Sequence, residues 1–251
     1  MSNAFDLTGK TAAVTGGGRG LGLGISNALL EAGADVIVLG RSGVPAELSA
    51  RAASLGRKVH FVALDLADAD AIATVSAQLL ADHKVDILVN NAGTQDRYPA
   101  VDFPLEAWDA VLDINLRAVF QLCQLFGRPM LERGEGKIVN LASLLSFQGG
   151  VTVPAYAASK GAVAQLTKAL CNEWSGQGVN VNAIAPGYMS TEMNSALLAD
   201  PGRLAALSAR IPAGRWGEPD DVGNVAVFFA SEAARYVHGQ VLAVDGGWLA
   251  R

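Results

Sequence analysis

The chain predicts an α/β fold: one domain built on a doubly wound parallel sheet of about seven strands flanked by helices. Three observations carry this. Short β-branched runs alternate with longer helical patterns from end to end. The strand candidates are apolar almost throughout, as strands covered on both faces are. The 251 residues contain no internal linker, low-complexity stretch or solenoid repeat, so a single unit spans 1–251.

The elements follow in order. Thr11–Thr15 is the first strand, and a glycine-rich turn leads from it into a helix from about Gly20 to Ala32, closed by Gly33. Asp35–Leu39 is the second strand. Pro45 opens a helix to about Leu55, with Gly56 after it. Val59–Leu64 is the third strand, Ala69–Ala81 a helix, and Asp86–Val89 the fourth strand. Helical patterning from Leu105 to Leu116 runs into a long helix to about Glu132, its end bent by Pro129. Lys137–Leu141 is the fifth strand, Pro154–Trp174 a helix, and Val179–Ala185 the sixth strand. Asp220–Ser231 is helical, and Val241–Val244 is the last strand. The stretch 188–218 is the least regular, with Pro201, Gly202, Pro212, Gly214 and Gly217. A long insertion at the carboxyl end of a strand is read as a substrate lid.

Composition narrows the function. Hydrophobic residues make up 51% and charged ones 17%, which describes a packed globular protein. The net charge of −5 and the absence of a basic run argue against nucleic acid or an anionic membrane as partner. Cys123 and Cys171 fall in helical apolar patterns and read as core residues. His60, His83 and His238 lack ligand spacing, so no metal is expected. No apolar run reaches bilayer length, and the N-terminus shows no charged segment leading into an apolar one. A cytoplasmic enzyme acting on a small molecule is the expectation.

The chemistry centres on Tyr156 and Lys160. They lie four residues apart at the start of a helix, so both project from one face. An ammonium beside a phenol favours the phenolate, which makes a proton carrier of a group whose free pKa is near ~10. Alone, such a pair is better explained by a surface tyrosine near a solvated lysine; the rest of the chain overturns that reading. Ser143 ends the fifth strand, where open α/β sheets bind ligands. In the turn Thr15 to Gly22, Gly16, Gly20 and Gly22 allow a tight bend and offer backbone N–H groups at a helix N-terminus. Asn90 to Gly93 follows the fourth strand with small and amide residues. Asp65 is placed either to accept from an adenine amino group or to cap the next helix.

These segments, with Pro186-Gly187, resemble the short-chain dehydrogenases/reductases along the whole chain. The resemblance implies a Rossmann fold, a nicotinamide cofactor and a homotetramer. It also implies a catalytic tetrad of Asn115, Ser143, Tyr156 and Lys160. Tyr156 would move the hydroxyl proton, Ser143 would polarise the carbonyl oxygen, and Lys160 would tune Tyr156 and hold the nicotinamide ribose. Asn115 would fix a water linking Lys160 to solvent. The cofactor would lie against Gly16, Arg19, Gly20, Leu21 and Gly22, then Asp65, Leu66, Asn91, Ala92 and Gly93. Pro186, Gly187, Met189 and Thr191 would border its nicotinamide end, with Tyr156 and Lys160. The tip of the second strand, Gly40-Arg41-Ser42, lacks a carboxylate for a ribose 2′-OH. Arg41 and Ser42 favour NADP there, with NAD as the alternative.

Within the family, Ser146–Gly150, Asn180–Met189, Arg210–Gly217 and Ala243–Arg251 resemble the 2-dehydro-3-deoxy-D-gluconate 5-dehydrogenase and 2-deoxy-D-gluconate 3-dehydrogenase group. A sugar acid needs a cation for its carboxylate and polar groups for its hydroxyls. Arg97, Gln148 and Tyr188 are the candidates beside Ser143 and Tyr156, and a surface or subunit-interface salt bridge explains Arg97 equally well. Two rivals stand. One is a reductase of 3-oxoacyl thioesters or other ketones, with Met193, Leu197, Leu198 and Leu204 lining an apolar groove. The other is a nucleotide-binding regulator without chemistry.

Overall fold

The computed structural model describes residues 3–194, 197 and 199–251, without the Met193 side chain. Seven strands form one sheet: β1 Thr11–Thr15, β2 Asp35–Gly40, β3 Val59–Ala63, β4 Ile87–Asn90, β5 Gly136–Leu141, β6 Val179–Pro186 and β7 Val241–Val244. All neighbours pair in parallel, in the order β3-β2-β1-β4-β5-β6-β7. The helices are α1 Gly20–Glu31, α2 Ala46–Ser54, α3 Ala69–Asp82, α4 Leu105–Leu112, α5 Ala118–Arg133, α6 Pro154–Trp174, α7 Pro201–Ser208 and α8 Pro219–Ala230.

Strand side chains alternate between two cores, as a period of two requires. Val14, Val36, Val38, Ile87 and Val89 face α1, α2 and α8, meeting Ile25, Leu29, Leu48, Val222 and Phe229. Ala13, Ile37, Leu39, Leu88 and Ile138 face α3, α5 and α6, meeting Ile72, Leu79, Phe126, Met130 and Val163. Covering both faces is what forces the central strands to be apolar. The edge strands escape this: Phe61 in β3 and Leu242 in β7 are exposed.

The order of elements is the expected one, with two differences. The helical patterning through Leu116 is broken: α4 stops at Leu112, and a π-helical turn, Asp113–Arg117, joins it to α5. Pro129 lies inside α5, which continues to Arg133 and ends at left-handed Gly134. The second difference lies in the lid, where α7 occupies part of the stretch expected to be irregular. Asp200 caps it, accepting from the backbone N–H groups of Gly202 and Arg203, and Pro201 opens it. The lid also has a core of its own, in which Ile211, Trp216 and Trp248 pack with Leu144, Tyr188, Leu197, Leu204 and Leu207. Leu197 and Leu204 pack in this core, and Leu197 also borders a large cavity; Leu198 and the Met193 side chain lie outside the described residues.

Candidate active site

The strand order brings the tips of β1 and β4 side by side, and a crevice opens beyond them. One hydroxyl ties these tips together. Thr15 Oγ1 accepts from the Asn91 N–H at 2.9 Å and the Ala92 N–H at 3.0 Å. Asn91 Nδ2 returns a bond to the Thr15 carbonyl at 2.8 Å. The glycine turn is fitted against them. Gly16 and Gly20 have φ of 64° and 51°, the left-handed region that favours glycine. A Cβ on Gly22 would overlap the Gly16 carbonyl and stand 2.6 Å from Asn91 Nδ2. The N-terminus of α1 therefore comes as close to the turn as backbone can.

Ser143, Tyr156 and Lys160 face the crevice from the β5 side. Ser143 caps a short 3-10 turn, its Oγ accepting from the Leu145 N–H at 3.2 Å. Ser146 in that turn donates to the Lys160 carbonyl at 2.6 Å, fixing the serine loop to the first turns of α6. Lys160 Nζ, on a residue only 4% exposed, donates to the Leu141 carbonyl at 2.6 Å. It lies 5.6 Å from the centroid of the Tyr156 ring, so the two side chains share one face of α6.

The electrostatics differ from expectation. Burial drives Lys160 down to about 8, because desolvation disfavours the ammonium. Burial also pushes the Tyr156 phenol up, with the Ser143 hydroxyl pulling the other way. Both groups are thus driven toward neutral forms, and the lysine does not lower the phenol as expected.

Asn115 sits behind the crevice wall in the π-helical turn, fully buried. Its Oδ1 accepts from the Thr94 N–H at 2.8 Å, and its Nδ2 donates to the Thr94 carbonyl at 2.8 Å and to Ser159 Oγ at 3.1 Å. The side chain is occupied by the protein. It acts as a strut between the β4 loop and α6, with both Nδ2 protons used and one lone pair of Oδ1 remaining.

A cavity of about 1120 Å³ is bordered by all these segments except Asn115: Gly16, Arg19 to Gly22, Asn91 to Gly93, Ser143, Tyr156, Lys160, Pro186 to Met189 and Thr191. Arg97, Gln148 and Tyr188 border it as well. Arg41, Ser42, Asp65 and Leu66 do not; they follow the tips of β2 and β3, beside the turn. Asp65 accepts from the Ala67 N–H at 3.0 Å, and Asp68 is the residue that caps α3. Residues that sequence reasoning missed include Ser146, Thr94, Arg203, Arg210 and Trp248. Only Ser146 left a signal, a hydroxyl three residues after Ser143.

The residues present fit a dinucleotide with a 2′-phosphate. The β2 tip carries no acid, Arg41 is exposed, and a Cβ built on Gly40 would meet only Gly16 N, at 4.0 Å.

A family model described as enoyl-(acyl carrier protein) reductase matches residues 16–249. The chain belongs to the short-chain dehydrogenase/reductase family. A 2-dehydro-3-deoxy-D-gluconate 5-dehydrogenase of Bacillus subtilis is 52% identical, over 100% of this chain and 99% of its own length. A Beutenbergia cavernae protein crystallised with NADP at low occupancy superposes with a TM-score of 0.96, at 52% identity, over 99% of this chain and 100% of that one. A gluconate 5-dehydrogenase from Burkholderia cenocepacia, in complex with NADP and tartrate, gives a TM-score of 0.91 at 39% identity, over 99% and 98% of the two chains.

Proposed function

We propose that this chain is an NADP-dependent dehydrogenase that oxidises a secondary hydroxyl of a sugar acid of the 2-dehydro-3-deoxygluconate or 2-deoxygluconate type. The observation that carries it is the gathering of Ser143, Tyr156 and Lys160 on the wall of the same cavity as the glycine turn. The full-length similarity to a 2-dehydro-3-deoxy-D-gluconate 5-dehydrogenase supports the substrate class. Arg41 at an acid-free β2 tip, and relatives crystallised with NADP, support the cofactor.

When bound, NADP supplies the hydride acceptor. It would lie over the turn from Gly16 to Gly22 and against Asn91 to Gly93, with Arg41, Ser42 and Arg19 around its phosphates and Asp65 and Leu66 at its adenine. Pro186, Gly187, Met189 and Thr191 would edge the nicotinamide, and Lys160 would hold the adjoining ribose. The protein's own part is proton handling and orientation. Ser143 donates to the substrate oxygen, and the substrate's hydroxyl proton passes to the Tyr156 oxygen as the carbonyl forms. Tyr156 can take it because the phenol gives up its own proton to the amine of Lys160, whose pKa burial holds at about 8. Asn115 keeps the β4 loop and α6 in register so that these distances hold. In this reading the enzyme works as a homotetramer in the cytoplasm. Exposed Phe120 on α5 supports the assembly, and no helix among the described residues is long and apolar enough to cross a membrane.

The test is a spectrophotometric screen of sugar acids with NADP and NAD, beside an acetoacetyl thioester with NADPH. Turnover of sugar acids with a preference for NADP is the expected result. Turnover confined to the thioester would make the chain a ketone reductase, and none with any carbonyl or hydroxyl substrate would leave the regulator.

A further inference from the structure

This inference rests on the sugar-acid reading and concerns how the acid is recognised. Four arginines border the cavity: Arg19, Arg97, Arg203 and Arg210. Arg19 belongs to the glycine turn and faces Glu192 at 3.5 Å. Arg97, Arg203 and Arg210 are all exposed, and among the described residues nothing fixes the side chains of Arg97 and Arg203 by hydrogen bond, ion pair or ring. Arg210 differs. Its guanidinium lies 4.0 Å from the centroid of the Trp248 ring.

That ring is itself immobilised. Trp248 is 5% exposed, its Nε1 donates to Gln148 Oε1 at 3.3 Å, and the Tyr188 ring packs on it at 4.8 Å. Tyr188 leans in turn on Trp216, at 5.3 Å. The backbone under Arg210 is held too. Its N–H donates to the Leu207 carbonyl at 3.0 Å, and Arg251 Nη1 donates to the Ala209 carbonyl at 3.3 Å.

A guanidinium stacked by its face keeps its N–H edge for another partner. Among the described residues, the Arg210 side chain donates no hydrogen bond and joins no ion pair. That edge is the shape a carboxylate accepts in two parallel bonds. Stacking also settles the side chain's orientation before substrate arrives, which reduces the ordering cost of binding. The geometry points to Arg210, in place of Arg97, as the residue that binds the substrate carboxylate, with Trp248 as its positioning residue.

Steady-state kinetics with whichever sugar acid the wild type turns over best, 2-deoxy-D-gluconate in the first instance, and with its uncharged amide test this, because the two differ only in the group Arg210 would read. Wild type should prefer the acid. Arg210→Gln should lower the acid-to-amide ratio of kcat/KM by roughly 10- to 150-fold, the span of one charge-assisted bond. Trp248→Leu should lower it less. NADPH binding, followed by fluorescence, reports that each variant is folded. Retention of the ratio in Arg210→Gln overturns the assignment, as does its loss in Arg97→Gln instead. Wild type that turns over neither compound, nor any other sugar acid, overturns the sugar-acid reading itself, a different failure visible before any variant is made.

Discussion

At the scale of single residues, the site depends on two neighbouring groups whose charges the fold discourages. Tyr156→Phe removes only the phenolic oxygen. Turnover should fall ~10²–10⁴-fold, the usual contribution of a positioned proton carrier, while NADPH affinity, measured by fluorescence titration, stays close to wild type. Lys160 makes a prediction about stability. Its folded pKa, about 8, lies below the ordinary 10.5. Above pH 8 the unfolded chain therefore binds more protons at this residue than the native one, and stability rises with pH. Cys123, pushed up from 9.0 to about 12 by burial, has the opposite sign and begins to count at pH 9. Cys123 is common to both proteins and cancels, so in the cofactor-free protein the difference in Tm between wild type and Lys160→Met should change steadily between pH 8 and 10.5, wild type gaining. A difference independent of pH would mean that Lys160 is fully charged where it sits. That both residues share one face of a helix was legible from their spacing; their membership of a site was legible only from the segments around them. Their electrostatics were not, because desolvation depends on what the fold places around them, and here it outweighed the mutual effect expected of the pair.

At the scale of elements, the strands and principal helices could be read because each buries a face, and burial imposes a period on sequence. The lid helix α7 was missed because its partners are distant: Leu204 and Leu207 pack against Ile211, Trp216 and Trp248, so glycines and prolines dominated the local signal. Asp200-Pro201 was a start signal overlooked. The π-helical turn at Asn115 was hidden because its cause is also remote, the three bonds that pull Asn115 onto Thr94 and Ser159. The glycine turn, by contrast, was legible to the residue. Gly22→Ala should cost about 1–3 kcal/mol of stability, as overpacking does, and weaken NADPH binding. Chemical denaturation and fluorescence titration measure the two. An alanine tolerated at Gly22 with full cofactor affinity would mean that α1 can stand further from Gly16 than it does here.

At the scale of the whole molecule, the sheet distributes its tasks among strand tips, and this layout followed from the alternation of elements. What the sequence of one chain could not supply was the surface between copies. Phe120 on α5 is 45% exposed. In the tetrameric reading Phe120→Glu should reduce the mass measured by light scattering, whereas an unchanged mass would remove that surface from the assembly.

The strand order has a thermodynamic consequence. Two strands, β1 and β4, separate the tip of β2, with Arg41, from β5, which leads into Ser143. At about 4.8 Å per strand the two functions lie roughly 14 Å apart, beyond the range at which substitutions usually couple. Arg41→Glu should raise the Kd for NADP by roughly 10- to 150-fold, and combined with Tyr156→Phe its free-energy change should simply add. A double-mutant cycle closing near zero would mean that nucleotide choice and proton chemistry can be altered one at a time.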